Sequence, residues 1–146
     1  TTPSAWNDPV TGGELTRGQI SQGSDVVFAA AGGTGLGVLQ TAADEGILSV
    51  GVDSNQNYLQ PGSVLTSMMK RVDNAVYESF LAGEAVEPGF NAMGLANDGV
   101  SYAMDEHNAA LLTEDMIAQV EAAKAAIIAG EITVHDYMSD EACPAF

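Results

Sequence analysis

The sequence predicts an α/β fold in which helices wind around a parallel β-sheet. Two continuous apolar runs, at 25–31 and 47–52, have the length and composition of strands that are covered on both faces. A segment with helical spacing, 36–46, lies between them, and a third strand-like run, 63–69, follows a polar loop. Strands and helices that alternate at this spacing indicate a parallel sheet.

The composition of the chain excludes several classes of function. Its 146 residues suffice for one domain with a sizeable core, and 46% of them are hydrophobic. The formal net charge of −16, with only four Lys and Arg residues, argues against binding of nucleic acid, of an anionic membrane surface or of heavily phosphorylated ligands. No apolar run reaches the roughly 18 residues of a membrane span. The single cysteine, Cys143, cannot form an internal disulfide.

The first helix is expected directly after Trp6. Asp8 is a suitable N-cap, Pro9 fits the first helical position, and Gly23 is a plausible C-terminal cap. The residues before Asp8 are interpreted as the end of a strand. Trp6 would then lie at the carboxyl end of that strand, where an indole is a candidate stacking platform for a planar ligand, although lone tryptophans are more often simply packed.

The next strands, and the helix between the first two of them, are expected to form the core. The strand at 25–31 is expected to bury Phe28, and it ends at a Gly-Gly-Thr-Gly loop, 32–35. The following two strands are expected to end at Asp53 and just before Lys70. The helix between the first two strands carries four apolar residues on one side: Leu36, Leu39, Ala42 and Ala43.

A third helix is predicted from Arg71 to Glu84. Its apolar residues Val72, Val76 and Phe80 are spaced by four, as on one face of a helix. The segment 90–104 is interpreted as a hairpin of two short strands around an Asn-Asp-Gly turn.

The end of the chain contains the clearest helical pattern. It begins at the N-cap Thr113 and stops at Gly130. A last short strand is predicted at 132–137, followed by a loose tail.

Charged side chains lie where two predicted strands end. Ligands of parallel sheets bind outside the carboxyl ends of the strands, so Asp53, Lys70 and the 32–35 loop are expected to share one cleft. A carboxylate and an ammonium group can together hold a polyhydroxylated group, because one accepts and the other donates hydrogen bonds. The alternative is a surface salt bridge that contributes little to stability.

The glycine loop allows two interpretations. A glycine-rich loop between a strand and a helix, with Asp53 at the end of the next strand, is similar to a dinucleotide-binding fingerprint. That pattern needs glycine three residues after Gly35, where the chain has Val38. The other interpretation is a tight turn in which glycine lets the helix start close to the sheet.

No catalytic or metal-binding constellation stands out. His107, His135 and Cys143 lack the spacing of metal ligands, and no nucleophile lies beside a base. The expectation is therefore a protein without metal or cofactor and without enzymatic activity.

Several motifs together resemble one known family. They are "WNDP", "GSDVVFAAAGGTGLGVLQTAADEG", "VGVDSNQNYLQPGSVLTSMMKRVDNAVY" and "GLANDGVSYA". These segments are similar to the basic membrane proteins, the purine-nucleoside-receptor-like substrate-binding lipoproteins of ABC transporters. The resemblance extends to about Asp136.

The resemblance implies a type I periplasmic-binding-protein fold, in which two α/β lobes close over a nucleoside. Residues 6–70 would belong to one doubly wound parallel-sheet lobe, and most of the other lobe would be missing. Residues 71–88 would form a helix that crosses toward the absent lobe. Residues 89–136 would supply the hairpin, a helix and a short strand, and 137–146 the tail.

The resemblance also implies a ligand site. Trp6 would stack on the base, Gly33 and Thr34 would line the ligand from the glycine loop, and Asp53 and Lys70 would hold the ribose. The function implied is that of a non-catalytic component of an ABC importer. Its partners would be a purine nucleoside, a membrane permease, and a missing N-terminal lobe or a second copy, but no nucleic acid.

The same resemblance implies that the full-length protein is periplasmic or on the cell surface and is lipid-anchored, with a signal peptide and a lipidated cysteine that this sequence lacks. Two alternatives remain open at this point. One is a dinucleotide-binding enzyme domain of the Rossmann type. The other is a structural half-domain that needs a partner chain.

Overall fold

The computed structural model describes residues 2–140, with the side chains of residues 2–138. These residues form two compact units that divide between Thr113 and Glu114. The first unit contains α1 (Pro9–Ser21), β1 (Val26–Phe28), α2 (Gly35–Asp44), β2 (Leu48–Asp53), β3 (Val64–Lys70), α3 (Val72–Ala82) and β4 (Val100–Tyr102). The second unit contains α4 (Glu114–Ile128) and the short α5 (Tyr137–Asp140).

The four strands form one sheet in the order β1-β2-β3-β4. The first three strands are parallel, and β4 runs antiparallel to β3. Asp53 pairs with Met69, so the last residue of β2 lies beside the end of β3. The α/β fold with a mostly parallel sheet, predicted from the apolar runs, is confirmed.

The first helix begins where its capping residues predict. The Asp8 carboxylate accepts hydrogen bonds from the Thr11 amide (3.0 Å) and hydroxyl (2.8 Å), and Pro9 occupies the first turn. The Thr11 backbone and hydroxyl hold the pKa of the Asp8 carboxyl below its usual value. Gly23 follows the helix with a positive φ of 100°, the conformation that glycine favours after a helix.

Glycine allows α1 and α2 to pack closely. A Cβ atom on Gly12 would lie 2.6 Å from the Thr34 carbonyl oxygen, and one on Gly37 would overlap the Pro9 carbonyl group. Helix α1 packs on α2, and α2 packs on β1 and β2, so this pair of helices forms one layer over the sheet. Val27, Leu39 and Ala42 are buried.

The prediction that Phe28 belongs to the core is wrong. Its side chain is 59% exposed, and its neighbour Val26 is also exposed, whereas Val27 is buried. β1 lies at the edge of the sheet, and α2 covers only the face that carries Val27. Because successive side chains of a strand point to opposite faces, Phe28 lies on the face that the described residues leave open. Leu36, on the predicted inner side of α2, is exposed as well.

Helix α3 forms where the sequence predicts it, but it ends at Ala82, so the predicted extension of the helix to residue 88 is wrong, and its apolar face is exposed. Val72, Val76 and Phe80 all have exposed side chains, and Phe80 is 82% exposed. The helix is followed by a 3-10 turn at Gly83–Ala85. Its role as a crossing toward a second lobe stays a prediction.

The predicted hairpin at 90–104 is wrong. The residues before the turn form a 3-10 helix, Leu95–Asn97, and Asp98 follows it in the left-handed conformation at φ 52°. Gly99 donates to the Gly94 carbonyl (2.8 Å), so the Asn-Asp-Gly segment does form a turn. Residues 90–97 contain no strand, and β4 pairs instead with β3, a strand some thirty residues earlier.

In the second unit, α4 follows Thr113 and ends before Gly130, which has φ 76°, as the sequence predicts. The predicted strand at 132–137 is wrong, since 132–136 form no regular element and α5 starts at Tyr137. None of the strands in the described part of the chain pairs with this segment. Cys143 and most of the predicted tail lie outside the described residues. No helix in the described part of the chain combines the length and the apolar character needed to cross a bilayer.

Candidate functional site

A cleft of about 230 Å³ opens at the carboxyl ends of β2 and β3, within the first unit. Three of the five residues predicted to form a site, Trp6, Asp53 and Lys70, lie on its wall. Its lining residues are Trp6, Ala30, Gly32, Val52, Asp53, Met68 and Lys70. The cleft is thus lined by apolar side chains, an indole and an ion pair.

The ion pair joins the ends of two neighbouring strands. Lys70 Nζ lies 2.7 Å from Asp53 Oδ1. The two side chains are 62% and 50% exposed, so their contact adds little to the stability of the fold. A carboxylate can accept about four hydrogen bonds and an ammonium can donate three, so both groups have capacity left for a ligand.

The backbone at Asp53 turns sharply away from the sheet. Its φ is 70°, an uncommon value for a residue with a side chain, and the Ser54 amide donates to the Val52 carbonyl across it (2.8 Å). Such conformations carry strain and are often found at functional positions. This turn directs the carboxylate to Lys70 instead of continuing the strand.

The prediction that Trp6 lies at the carboxyl end of a strand is wrong. Trp6 belongs to a 3-10 helix, Pro3–Asn7, is 56% exposed, and lines the cleft. A Cβ atom on Gly32 would lie 3.1 Å from the Trp6 carbonyl oxygen and 3.5 Å from the indole Cε3. The glycine loop therefore supports the tryptophan directly, and Gly32 has a positive φ of 54° that suits glycine.

Gly33 and Thr34 lie behind Trp6 and are not among the residues that line the cleft. The buried Thr34 hydroxyl donates to the Ala5 carbonyl (2.6 Å) and accepts from the Asp8 amide (2.7 Å), so it ties down the segment that carries Trp6. A Cβ atom on Gly33 would lie 2.7 Å from Asn7 Oδ1. Direct contact of these two residues with a ligand stays a prediction.

A polar network that the sequence did not predict lies behind Asp53. The side-chain Oε1 atom of Gln56 accepts from the Val52 backbone amide (2.8 Å), and the backbone amide of Gln56 donates to Ser67 Oγ (3.0 Å). Ser67 in turn donates to Asn57 Oδ1 (2.8 Å), and both side chains are fully buried. The signal available in the sequence was the run of amides at 55–57 directly after a strand that ends at the predicted cleft.

Asp105 connects this network to the turn after β4. Its Oδ2 accepts from the side-chain amides of Asn55 (2.7 Å) and Asn57 (3.1 Å), and its Oδ1 accepts from the His107 backbone amide (2.8 Å). The Asn55 amide, together with the other two donors, holds the pKa of the Asp105 carboxyl below its usual value, while partial burial acts in the opposite direction.

Asp105, Glu106 and His107 also place three possible metal-ligand atoms within 4.8 Å of one another. Both oxygens of Asp105 already accept hydrogen bonds from this network. Exposed acidic groups commonly cluster without a metal, so we assign none here.

The network should make stability depend on pH. Because the folded-state pKa of Asp105 is lowered, its stabilising contribution is complete above the unfolded value of about 3.9 and is lost as the pH falls through the folded value. Urea unfolding between about pH 6 and pH 3 measures this slope. Asp105→Asn should be less stable at pH 6, because its NH₂ group opposes the donors of Asn55 and Asn57, and its slope should be shallower.

Glu106→Gln removes the neighbouring exposed carboxylate and serves as the control for this experiment. An acid slope that is as steep in Asp105→Asn as in the wild-type chain would contradict the role given to this carboxylate.

Comparison with known proteins decides the family. Over residues 3–137, the chain matches the Bmp family model, described as ABC transporter substrate-binding protein PnrA-like. The chain belongs to the Bmp family. The resemblance seen in its motifs is thereby confirmed.

Curated relatives of this Bmp-family chain include Basic membrane protein D of Borreliella burgdorferi, which is 35% identical over 91 residues, or 58% of this chain and 27% of that protein. The CD4+ T-cell-stimulating antigen of Listeria monocytogenes is 33% identical over 144 residues, or 84% of this chain and 39% of that protein.

Solved structures with the same fold include a solute-binding protein of an ABC transporter system from Aeropyrum pernix K1. It has a TM-score of 0.71 and 25% identity, and the match covers 92% of this chain and 47% of that one. A transcriptional activator of the comK gene from Bacillus halodurans gives a TM-score of 0.76 at 23% identity, over 90% of this chain and 46% of that one. The Bmp-family chain thus spans less than half the length of these proteins.

Proposed function

We propose that this chain forms one wall of the ligand site in the substrate-binding component of an ABC importer, and that it binds a purine nucleoside or a similar neutral ribosyl ligand without catalysis. The observation that carries the proposal is the position of Trp6, Asp53 and Lys70 around one cleft. Membership of the Bmp family supports the transport role.

The ion pair suits a ribose. Asp53 would accept from two neighbouring hydroxyl groups, while Lys70 would donate to a hydroxyl or to the ring oxygen. The pair is already formed at 2.7 Å, so the carboxylate is held in place before the sugar arrives. Its exposure leaves both groups accessible to a ligand.

The indole and the apolar lining suit a purine. Trp6 presents a large aromatic surface to the cleft, and the apolar side chains of Ala30, Val52 and Met68 also line it. A flat base could therefore stack on the indole while its sugar reaches the ion pair.

The charge of the chain favours a ligand without phosphate. A formal net charge of −16 repels anions, and of the four cationic side chains Lys70 alone lines the cleft, where it is already paired with Asp53. A nucleoside has no such penalty, whereas a nucleotide or dinucleotide would.

The size of the cleft indicates that a second wall is needed. Its volume of about 230 Å³ is below the roughly 300–1,000 Å³ of sites that enclose small molecules. We propose that a second lobe, or a second copy of the chain, supplies that wall. A membrane permease would be the other partner, and the full-length protein would be lipid-anchored in the periplasm or at the cell surface.

Ligand titration tests the proposal. Adenosine, guanosine and inosine are expected to bind the wild-type chain in ligand-observed NMR, which detects weak complexes, while ribose alone and NAD bind less well. Trp6→Ala should lower nucleoside affinity roughly 5- to 150-fold, as expected for the loss of one base–aromatic stack, and Trp6→Phe should retain most of it.

Two outcomes would contradict the proposal. One is equal binding by the wild-type chain and Trp6→Ala. The other is tight binding of NAD by a chain that ignores nucleosides, which would favour a dinucleotide-binding enzyme domain instead.

A further inference from the structure

The turn that follows β2 is closed by a side chain. The pairing of β1 with β2 ends where Phe28 lies opposite Val50. β2 continues to Asp53 and therefore extends past the end of β1. Two residues after Val50, the Val52 amide donates to Gln56 Oε1 at 2.8 Å. The carboxamide of Gln56 thus supplies an acceptor at the point where Asp53 leaves the sheet.

Gln56 is itself held in place from two sides. Its backbone amide donates to the hydroxyl of the fully buried Ser67 on β3. A Cβ atom on Gly51 would lie only 2.9 Å from both Cβ and Oε1 of Gln56, so the side chain packs directly against the glycine of β2. These contacts leave the carboxamide little freedom to move away from Val52.

Asp53 lies inside the loop that Gln56 closes. Val52 before it is fixed by the Gln56 carboxamide, and the Ser54 amide after it bonds back to the Val52 carbonyl. Between these two bonds the backbone of Asp53 takes its positive φ of 70°, and the carboxylate reaches Lys70. An exposed aspartate without such restraints would favour a negative φ.

We propose that Gln56 is a positioning residue for the ligand site: its carboxamide holds the backbone conformation that directs the Asp53 carboxylate to Lys70. Gln56 would touch no ligand and would act only through Asp53. The consequence for ligands rests on the function proposed above, whereas the conformational effect on Asp53 does not.

The conformational effect can be measured without ligand. A residue with positive φ gives a strong NOE between its own amide and α protons. Gln56→Met keeps the length of the side chain and removes the acceptor, so this NOE at Asp53 should weaken. Gln56→Glu keeps an oxygen acceptor at the same reach and should retain the NOE.

Gln60→Met is the matched control, because Gln60 lies in the same loop and bonds Gln40 on α2. It should leave the Asp53 NOE unchanged. Ser67→Ala provides a second route, because it releases the backbone amide of Gln56 and should also weaken the NOE. An NOE of wild-type strength in both Gln56→Met and Ser67→Ala would overturn the inference, whatever the chain binds.

Nucleoside titrations test the consequence for the ligand. Gln56→Met should lower nucleoside affinity about tenfold, the effect of one lost hydrogen-bonded restraint, and should leave the affinity for the free base unchanged. In an Asp53→Ala background the same substitution should cause no further loss, because it acts through the residue already removed.

The two proposals fail separately. If Gln56→Met lowers nucleoside affinity by the same factor in the wild-type chain and in the Asp53→Ala variant, the positioning role is overturned, while the proposal that the chain binds nucleosides is unaffected. A wild-type chain that binds no nucleoside would overturn the proposed function, and the NOE of Asp53 would still decide the role of Gln56.

Discussion

Replacing Asp53 by Ala is expected to lower nucleoside affinity roughly 10- to 150-fold, the range for losing a hydrogen bond to a charged group, and Asp53→Ala with Lys70→Ala should abolish detectable binding. The reason is that the two side chains form the polar edge of the cleft and carry the groups that would meet the ribose hydroxyls. Calorimetry, or NMR titration where binding is weak, measures the loss.

The fold should survive this change. Both side chains of the Asp53–Lys70 pair are at least half exposed, so their removal should hardly alter the midpoint of thermal unfolding. Arg17 and Glu45 form another exposed ion pair, at 3.3 Å, between α1 and the end of α2. The double substitution Arg17→Ala and Glu45→Ala is therefore a matched control that should leave nucleoside binding intact.

Unchanged nucleoside binding in the Asp53→Ala and Lys70→Ala double variant would rule out the ribose clamp. If the Arg17→Ala and Glu45→Ala double variant lost nucleoside affinity to a similar extent, the effect would come from removing any exposed ion pair and not from the cleft.

Gly37→Ala is expected to destabilise the chain by about 3 kcal/mol, at the upper end of the range for overpacked interiors. The added methyl group would overlap the backbone carbonyl of Pro9, which cannot rotate away as a flexible side chain would. Helix α1 would have to move off α2, and Trp6 lies directly before α1. Urea unfolding measures the loss, and nucleoside binding should weaken with it.

Gly18→Ala provides the control on the same pair of helices. Gly18 lies within α1, and a Cβ atom there would meet nothing within 4 Å. Alanine at this half-buried but uncrowded helix position should raise stability by about 0.5–1 kcal/mol, because it reduces the entropy lost on folding. A Gly37→Ala variant as stable as the wild-type chain would show that the helices can separate without cost.

The chemistry of individual segments made much of the fold predictable. Asp8 followed by Pro9 marks the start of α1 because the cap and the fixed φ act within a single turn. The end of β2 at Asp53 and of β3 at Lys70 follows from apolar runs that stop at charged residues. The rule for parallel sheets then predicted that these two side chains share one edge, and they lie 2.7 Å apart.

Errors arose where distant segments compete for the same partner. The turn at Asn97–Gly99 is local and was predicted, but β4 takes its hydrogen bonds from β3 and not from the residues just before the turn. The exposure of Phe28 depends on which face of β1 a helix covers, and no pattern within a three-residue strand records that.

The sequence by itself determined the α/β class, the helix caps, the strand ends and the charged residues at the edge of the sheet, because each of these depends on neighbouring residues and on side-chain chemistry. Only the tertiary structure decided which face of the sheet is covered, how the glycine loop supports Trp6, and how Gln56 restrains Asp53. These features depend on contacts between residues far apart in the chain, whose free energy exists only once the sheet and its helices are assembled.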